Sequence, residues 1–220
     1  MTEQNPSIKV QPNGPYVVTG GVPLRKKEPV MSEHGEPLTW KTGEVIDDGV
    51  AYALCRCGGS ANKPYCDGAH AENGFDGAES ASTGSYAETA SSIGGTGLEI
   101  HDDRAICVHA GFCGNEVTNV WKMAADTGDS RIRAQAMAMI ERCPSGALTF
   151  AVDADEVEPS LPAEISILPD GPLWVSGEIP TARSDGEAME TRNRVTLCRC
   201  GESANKPLCD GSHKEAGFTG

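Results

Sequence analysis

The sequence predicts an α+β protein built from several small, β-rich modules, with two such units flanking a central αβ unit. Three observations lead there: an internal duplication, a shortage of core-forming side chains, and nine cysteines that fall into three groups of three. The duplication is the strongest. Cys55-x-Cys57-x-x-Ser60-x-x-x-Pro64-x-Cys66-Asp67-Gly68-Ala69-His70 returns as Cys198-x-Cys200-x-x-Ser203-x-x-x-Pro207-x-Cys209-Asp210-Gly211-Ser212-His213. Three thiols and one imidazole keep their spacing while the residues between them drift, which metal chemistry explains better than packing. Aromatic residues make up only 5% of the chain, and 26 glycines and 14 prolines suit short, loop-rich units that need an inorganic staple.

The elements follow in chain order. The first unit, residues 1–77, opens with Ile8-x-Val10, a Pro12-Asn13-Gly14 turn and Tyr16-Val17-Val18, which read as a hairpin of short strands. The last unit, residues 165–220, repeats this as Ile165-x-Ile167, Pro169-Asp170-Gly171 and Leu173-Trp174-Val175. The hairpins align at an offset of 157 and the cysteines at 143, so the first unit has 14 extra residues between them. Residues 51–54 and 194–197 supply a strand into each Cys-x-Cys. Asp67 or Asp210 then caps a short helix that bears the histidine and stops at Gly74 or Gly217.

Residues 78–96, rich in Ser, Ala, Gly and Thr, read as a flexible tether. Their Gly94-Gly95-Thr96-Gly97 is no phosphate loop, since no Lys-Ser/Thr follows. In the central unit, residues 97–152, strands are expected at 98–100 and 147–152. A helix is expected over 130–142, with Ile132, Ala136, Met139 and Ile140 on its core face. Residues 153–164 hold five acids and no base and read as an acidic connector.

The net charge of −14, half of it in the two connectors, argues against nucleic acid and anionic membrane as partners. Residues 1–10 are polar, and no run of about 18 apolar residues occurs, so neither export nor a membrane span is expected. An odd number of cysteines argues against a closed disulfide set and for ligands in a reducing, cytoplasmic compartment.

Zinc would accept three sulfurs and one nitrogen, but structural zinc sites more often space their pairs as Cys-x-x-Cys. The run from Cys55 to His70, and its copy, resembles the CDGSH iron-sulfur family in all four ligands and in Ser, Pro, Asp and Gly. Ala69 stands where the family name has Ser, at a position that is not a ligand. The resemblance implies two 2Fe-2S clusters. One iron would be held by Cys55 and Cys57 and the other by Cys66 and His70; in the copy the pairs are Cys198 with Cys200 and Cys209 with His213. It also implies that the two modules could pair within one chain as a pseudo-dimer. Arg56, Arg199, Lys63 and Lys206 either offset cluster charge or are solvated loop cations.

Cys107-x-x-Ala110-x-x-Cys113 with a distant Cys143-Pro144 has ferredoxin spacing, except that Ala110 replaces the second cysteine. Residues 98–152 thus resemble single-cluster ferredoxins of the 3Fe-4S type, held by Cys107, Cys113 and Cys143. The alternative is 4Fe-4S with His109 or solvent as fourth ligand. No catalytic set is evident. The expectation is an electron-transfer protein, not an enzyme, working with a reductase or oxidase. A second reading is an iron-sulfur store, sensor or donor to an apo acceptor, and a third is a zinc-stapled scaffold.

Overall fold

The computed structural model describes residues 5–220, so the part of the polar opening stretch before Asn5 lies outside the described residues. The first repeat unit supplies β1 (Ser7–Val10), β2 (Tyr16–Thr19), β3 (Leu24–Met31), β4 (Pro37–Asp47) and β5 (Ala51–Leu54). The central part adds α1 (Tyr86–Thr89), β6 (Ser91–Gly95), β7 (Leu98–Asp102), α2 (Val120–Met123), α3 (Ser130–Ile140), β8 (Leu148–Val152) and β9 (Asp155–Val157). The second repeat supplies β10 (Glu164–Ile167), β11 (Leu173–Ser176), β12 (Thr181–Ala182) and β13 (Arg194–Leu197). Strands in three sheets and few helices make the protein α+β and β-rich.

Both repeat hairpins form. β1 pairs antiparallel with β2, closing on Val10 opposite Tyr16, and β10 with β11, closing on Ile167 opposite Leu173. Asn13 and Asp170 take positive φ in the two turns, which short polar side chains tolerate. The repeats then exchange strands. β3 leaves its own unit to lie parallel to β10, with Leu24 opposite Ile165, while β12 lies parallel to β1, with Thr181 opposite Ile8. The sheets are therefore β12-β1-β2-β5 and β13-β11-β10-β3-β4, each built from both ends of the chain.

The first unit's 14 extra residues lie in the long β3–β4 hairpin, where the second unit has only short β12 and its turn. At the seam, Glu164 is buried and its carboxylate is held by Lys27 at 2.8 Å and Arg25 at 2.9 Å. Lys27 also sits 4.3 Å above the Trp174 ring. One apolar core, including Ile8, Tyr16, Val18, Leu24, Ile165, Leu173 and Leu197, spans both units.

The third sheet, β6-β7-β8-β9, is antiparallel and packs against α3 through Ile100, Phe150, Ala136, Met139 and Ile140. Ile132, expected on the same face, is only partly buried. Residues 78–96 differ from the expected free tether. β6 is paired along β7, Ser80 and Ala81 donate to the Lys206 carbonyl, and Arg183 donates to the carbonyls of Glu79 and Ala81. Small polar side chains do not prevent a backbone from completing an open sheet edge. The acidic connector is likewise engaged: β9 pairs with β8, and Glu158 lies 2.9 Å from Arg194. Among the described residues, no helix is long and apolar enough to cross a membrane.

Candidate metal centres

Each repeated motif folds into the same cradle. Ser60 and Ser203 donate their hydroxyls to the carbonyls of Tyr65 and Leu208 (2.7 Å each) and accept from the amides of Asn62 and Asn205. Asp67 accepts from the amides of Ala61 and Ala69, and Asp210 from those of Ala204 and Ser212, so each carboxylate ties the loop to the histidine turn. Lys63 and Lys206 donate to the Ser60 and Ser203 carbonyls, and both following prolines are cis. His70 sits in a 3₁₀ turn, Ala69–Ala71, and His213 in a plain turn. Each follows a glycine, Gly68 or Gly211, at φ 93° or 95°.

The candidate ligands gather as pairs. Cys55 and Cys57 place their sulfurs 3.8 Å apart, and Cys66 Sγ lies 3.4 Å from His70 Nδ1. In the copy the separations are 3.7 Å for Cys198 and Cys200 and 3.3 Å for Cys209 and His213. Among the described residues, no three His, Cys, Asp or Glu side chains converge on a point that one ion could fill. Two pairs set apart fit a binuclear group better than a single tetrahedral ion.

The thiols are poised to be completed by a cation. Burial raises the Cys55 pKa, and burial pushes Cys209 up to about 12. In the Cys198–Cys200 pair, their mutual hydrogen bond lowers the Cys198 pKa and raises that of Cys200. Metal loading must therefore expel protons.

Arg56 and Arg199 are not the solvated loop cations of the second expectation. Both are buried, and each fastens the Gly-Phe segment that ends its unit. Arg56 donates to the Gly77 carbonyl at 2.8 Å, pairs with Glu79 and lies over Phe75. Arg199 donates to the carbonyls of Leu168, Gly171 and Gly220 and lies over Phe218.

The central cysteines meet as well. Cys107, Cys113 and Cys143 line one cavity of about 170 Å³, with His109, Ala110 and Ser145. Cys143 touches both apolar cores, so this cavity lies at the boundary between the central unit and the exchanged pair. Burial, then the neighbouring Cys143 and Cys107, raises the Cys113 pKa. His109 lies in the same loop at φ 55°, with its ring set against the Gly211 turn of the second cradle.

Sequence reasoning missed two residues. Tyr16, fully buried, donates to the carbonyls of Cys198 (2.8 Å) and Pro207 (3.0 Å), and Leu173 at the matching position of the other unit has no hydroxyl. Arg194, also buried, donates to the carbonyls of Ile140, Glu141, Cys143 and Leu148, where the other repeat has Ala51. In both cases the signal was available as a mismatch between otherwise matching repeats.

Comparison with protein families agrees with these sites. The family described as iron-binding zinc finger CDGSH type matches residues 13–71 and 170–214, and the family described as divergent 4Fe-4S mono-cluster matches residues 93–153. Neither the curated proteins nor the solved structures returned a match. The chain carries two CDGSH-type domains that flank a divergent 4Fe-4S mono-cluster domain. It is an iron-sulfur protein.

Proposed function

We propose that this protein transfers electrons and is not an enzyme. It would hold a 2Fe-2S cluster in each CDGSH cradle and a 3Fe-4S cluster in the central cavity. The observation that supports this most directly is the paired geometry, two sulfurs close together and a third sulfur beside an imidazole nitrogen, repeated in both cradles. A three-cysteine, one-histidine 2Fe-2S group supplies one-electron chemistry at a higher potential than an all-cysteine one. With Nδ1 turned toward cysteine, Nε2 is the nitrogen of His70 and His213 left to hold a proton, so proton and electron uptake are coupled there.

The three-cysteine assignment of the central site is supported by the one cavity that Cys107, Cys113 and Cys143 line together, with Ala110 where a fourth thiol would stand. The alternative is 4Fe-4S, in keeping with the description of the matching family. The two repeat units work as an intramolecular pseudo-dimer in a reducing, cytoplasmic compartment. Their partner is a reductase or oxidase with a basic docking face, suited to a chain of net charge −14.

A specific observation favours a second reading, a cluster donor or sensor. Cys57, Cys66 and His70 of the first cradle are all partly solvent-exposed, as release to an apo acceptor requires.

Anaerobic purification with iron, sulfide and electron paramagnetic resonance analysis tests the assignment. It should yield about seven irons and eight sulfides per chain, as two 2Fe-2S and one 3Fe-4S cluster require, and a paramagnetic oxidised centre. Iron-free material holding zinc would overturn it. Cluster transfer to an apo-ferredoxin that outpaced reversible reduction would favour the donor.

A further inference from the structure

The order of the three sites in space is not their order in sequence. The two cradles meet back to back: a side chain at Gly58 would run into the Cys200 carbonyl, and a Cβ at Gly201 would lie 2.9 Å from the Cys57 carbonyl oxygen. The second cradle alone also abuts the central cavity. A Cβ at Gly211 would fall 2.8 Å from His109 Cδ2 and 3.8 Å from the Cys107 carbonyl oxygen. Lys214 donates to the His109 carbonyl at 2.6 Å and Asn205 to that of Ala105 at 3.1 Å. Arg194, on the strand that runs into Cys198, donates to the Cys143 carbonyl at 3.0 Å.

The first cradle shows none of this. A Cβ at Gly68, the counterpart of Gly211, would meet nothing within 4 Å. Among the described residues, no hydrogen bond joins residues 55–70 to residues 98–152.

We propose that the three centres form a linear series, first cradle to second cradle to central cavity, with the second cradle as the middle member. This rests on the reading that all three sites hold iron-sulfur clusters. Cys198, Cys200, Cys209 and His213 are all buried, so the middle centre has no face for a partner. The termini do have such faces, in partly exposed Cys66 and His70 at one end and in Cys107, Cys113 and exposed His109 at the other. The chain thus offers separate docking faces to a one-electron donor and a one-electron acceptor. One electron is taken up at one end for each one given up at the other, and no atoms are transferred.

Spin-lattice relaxation in the fully reduced holoprotein tests the order, because every centre is then paramagnetic and a neighbouring spin speeds relaxation. Separate His70→Cys and His213→Cys variants assign the two CDGSH signals. The His213 signal should relax several-fold faster than the His70 signal. Removing the central centre with Cys113→Ala should slow the His213 signal several-fold and leave the His70 signal unchanged. A slowed His70 signal, or no change in either, would overturn the proposal. So would equal relaxation of the two signals in the unmutated protein, a result that needs no variant to fold. Iron and sulfide analysis of that protein is done first, and loss there would count against the cluster assignment and not the order.

Discussion

The two CDGSH cradles share their ligands, their Ser and Asp brackets and their buried arginines, yet they occupy opposite environments. The first opens to solvent at Cys57, Cys66 and His70. The second is enclosed, with His213 only 6% exposed. Three residues outside the motif make the difference. Tyr16 reaches across from the first unit to the Cys198 and Pro207 carbonyls, His109 covers the Gly211 turn, and Arg194 clamps the central unit beside Cys198. Identical spacing therefore gives the two cradles the same set of donor atoms, while the surroundings fix how accessible those atoms are. The polar groups that enclose the second cradle are the ones to alter, because each has no counterpart at the first.

The largest effect is expected from Arg194→Ala. Four carbonyls lose the guanidinium donor, and Glu158, itself partly exposed, loses its cation, so the cost should be about 3 kcal/mol, at the upper end for buried polar groups left unpaired. Chemical denaturation should show the loss, and the central unit should become the more protease-sensitive part. Unchanged stability would mean that the remaining contacts, among them Trp40 to Arg142 and Lys214 to His109, hold the central unit without Arg194. Tyr16→Phe comes next. Leaving the two buried carbonyls without the hydroxyl should cost about 1–3 kcal/mol. It should shift the visible spectrum or potential of the second centre and spare the first. Equal shifts in both would break the comparison.

The sites were legible where the information was local. Sixteen residues contain every cysteine and histidine of a cradle, and the structure brings Cys55 beside Cys57 and Cys66 beside His70, as it does their copies. Cys107, Cys113 and Cys143 were found by the same logic and do share a cavity. Strand positions in the repeats and the α3 core stripe were readable from alternation and helical period.

The exchange of β3 and β12 was not readable, because a strand's sequence records which face it buries but not which of two similar partners it pairs with. The 14-residue difference between the repeats was visible without its meaning. Those residues build the β3–β4 hairpin, whose Trp40 packs at a tilt against Phe112 and Trp174 and donates to the Arg142 carbonyl, closing the central unit onto the pair. Composition misled at residues 78–96, since a Ser- and Gly-rich segment is free only where no sheet edge awaits it.

A matched pair of glycine substitutions isolates a smaller difference. Gly68 and Gly211 have nearly the same φ, so Gly68→Ala should cost only the backbone strain, about 1–2 kcal/mol. Gly211→Ala should cost more, because its methyl also meets His109. The His109→Ala, Gly211→Ala double variant should recover that excess, and thermal denaturation of the four proteins reads it as a coupling. No coupling would mean that the His109 ring yields without cost.

The smallest expected difference is in acid. Burial first, and Lys214 next, lower the His213 pKa below its ordinary value. A depressed histidine pKa means that the folded site resists protonation while the unfolded chain takes up protons, so stability is lost as pH falls through the unfolded value. By the same sign, His213 Nδ1 stays available as a ligand further into the acid range than an unshifted imidazole would. On slow acidification, the second centre's absorbance should therefore outlast that of the solvent-exposed first centre. Tyr16→Phe, which loosens the enclosure without touching a ligand, should narrow the gap between the two midpoints. If the second centre bleached first, burial would not be what sets acid stability at these sites.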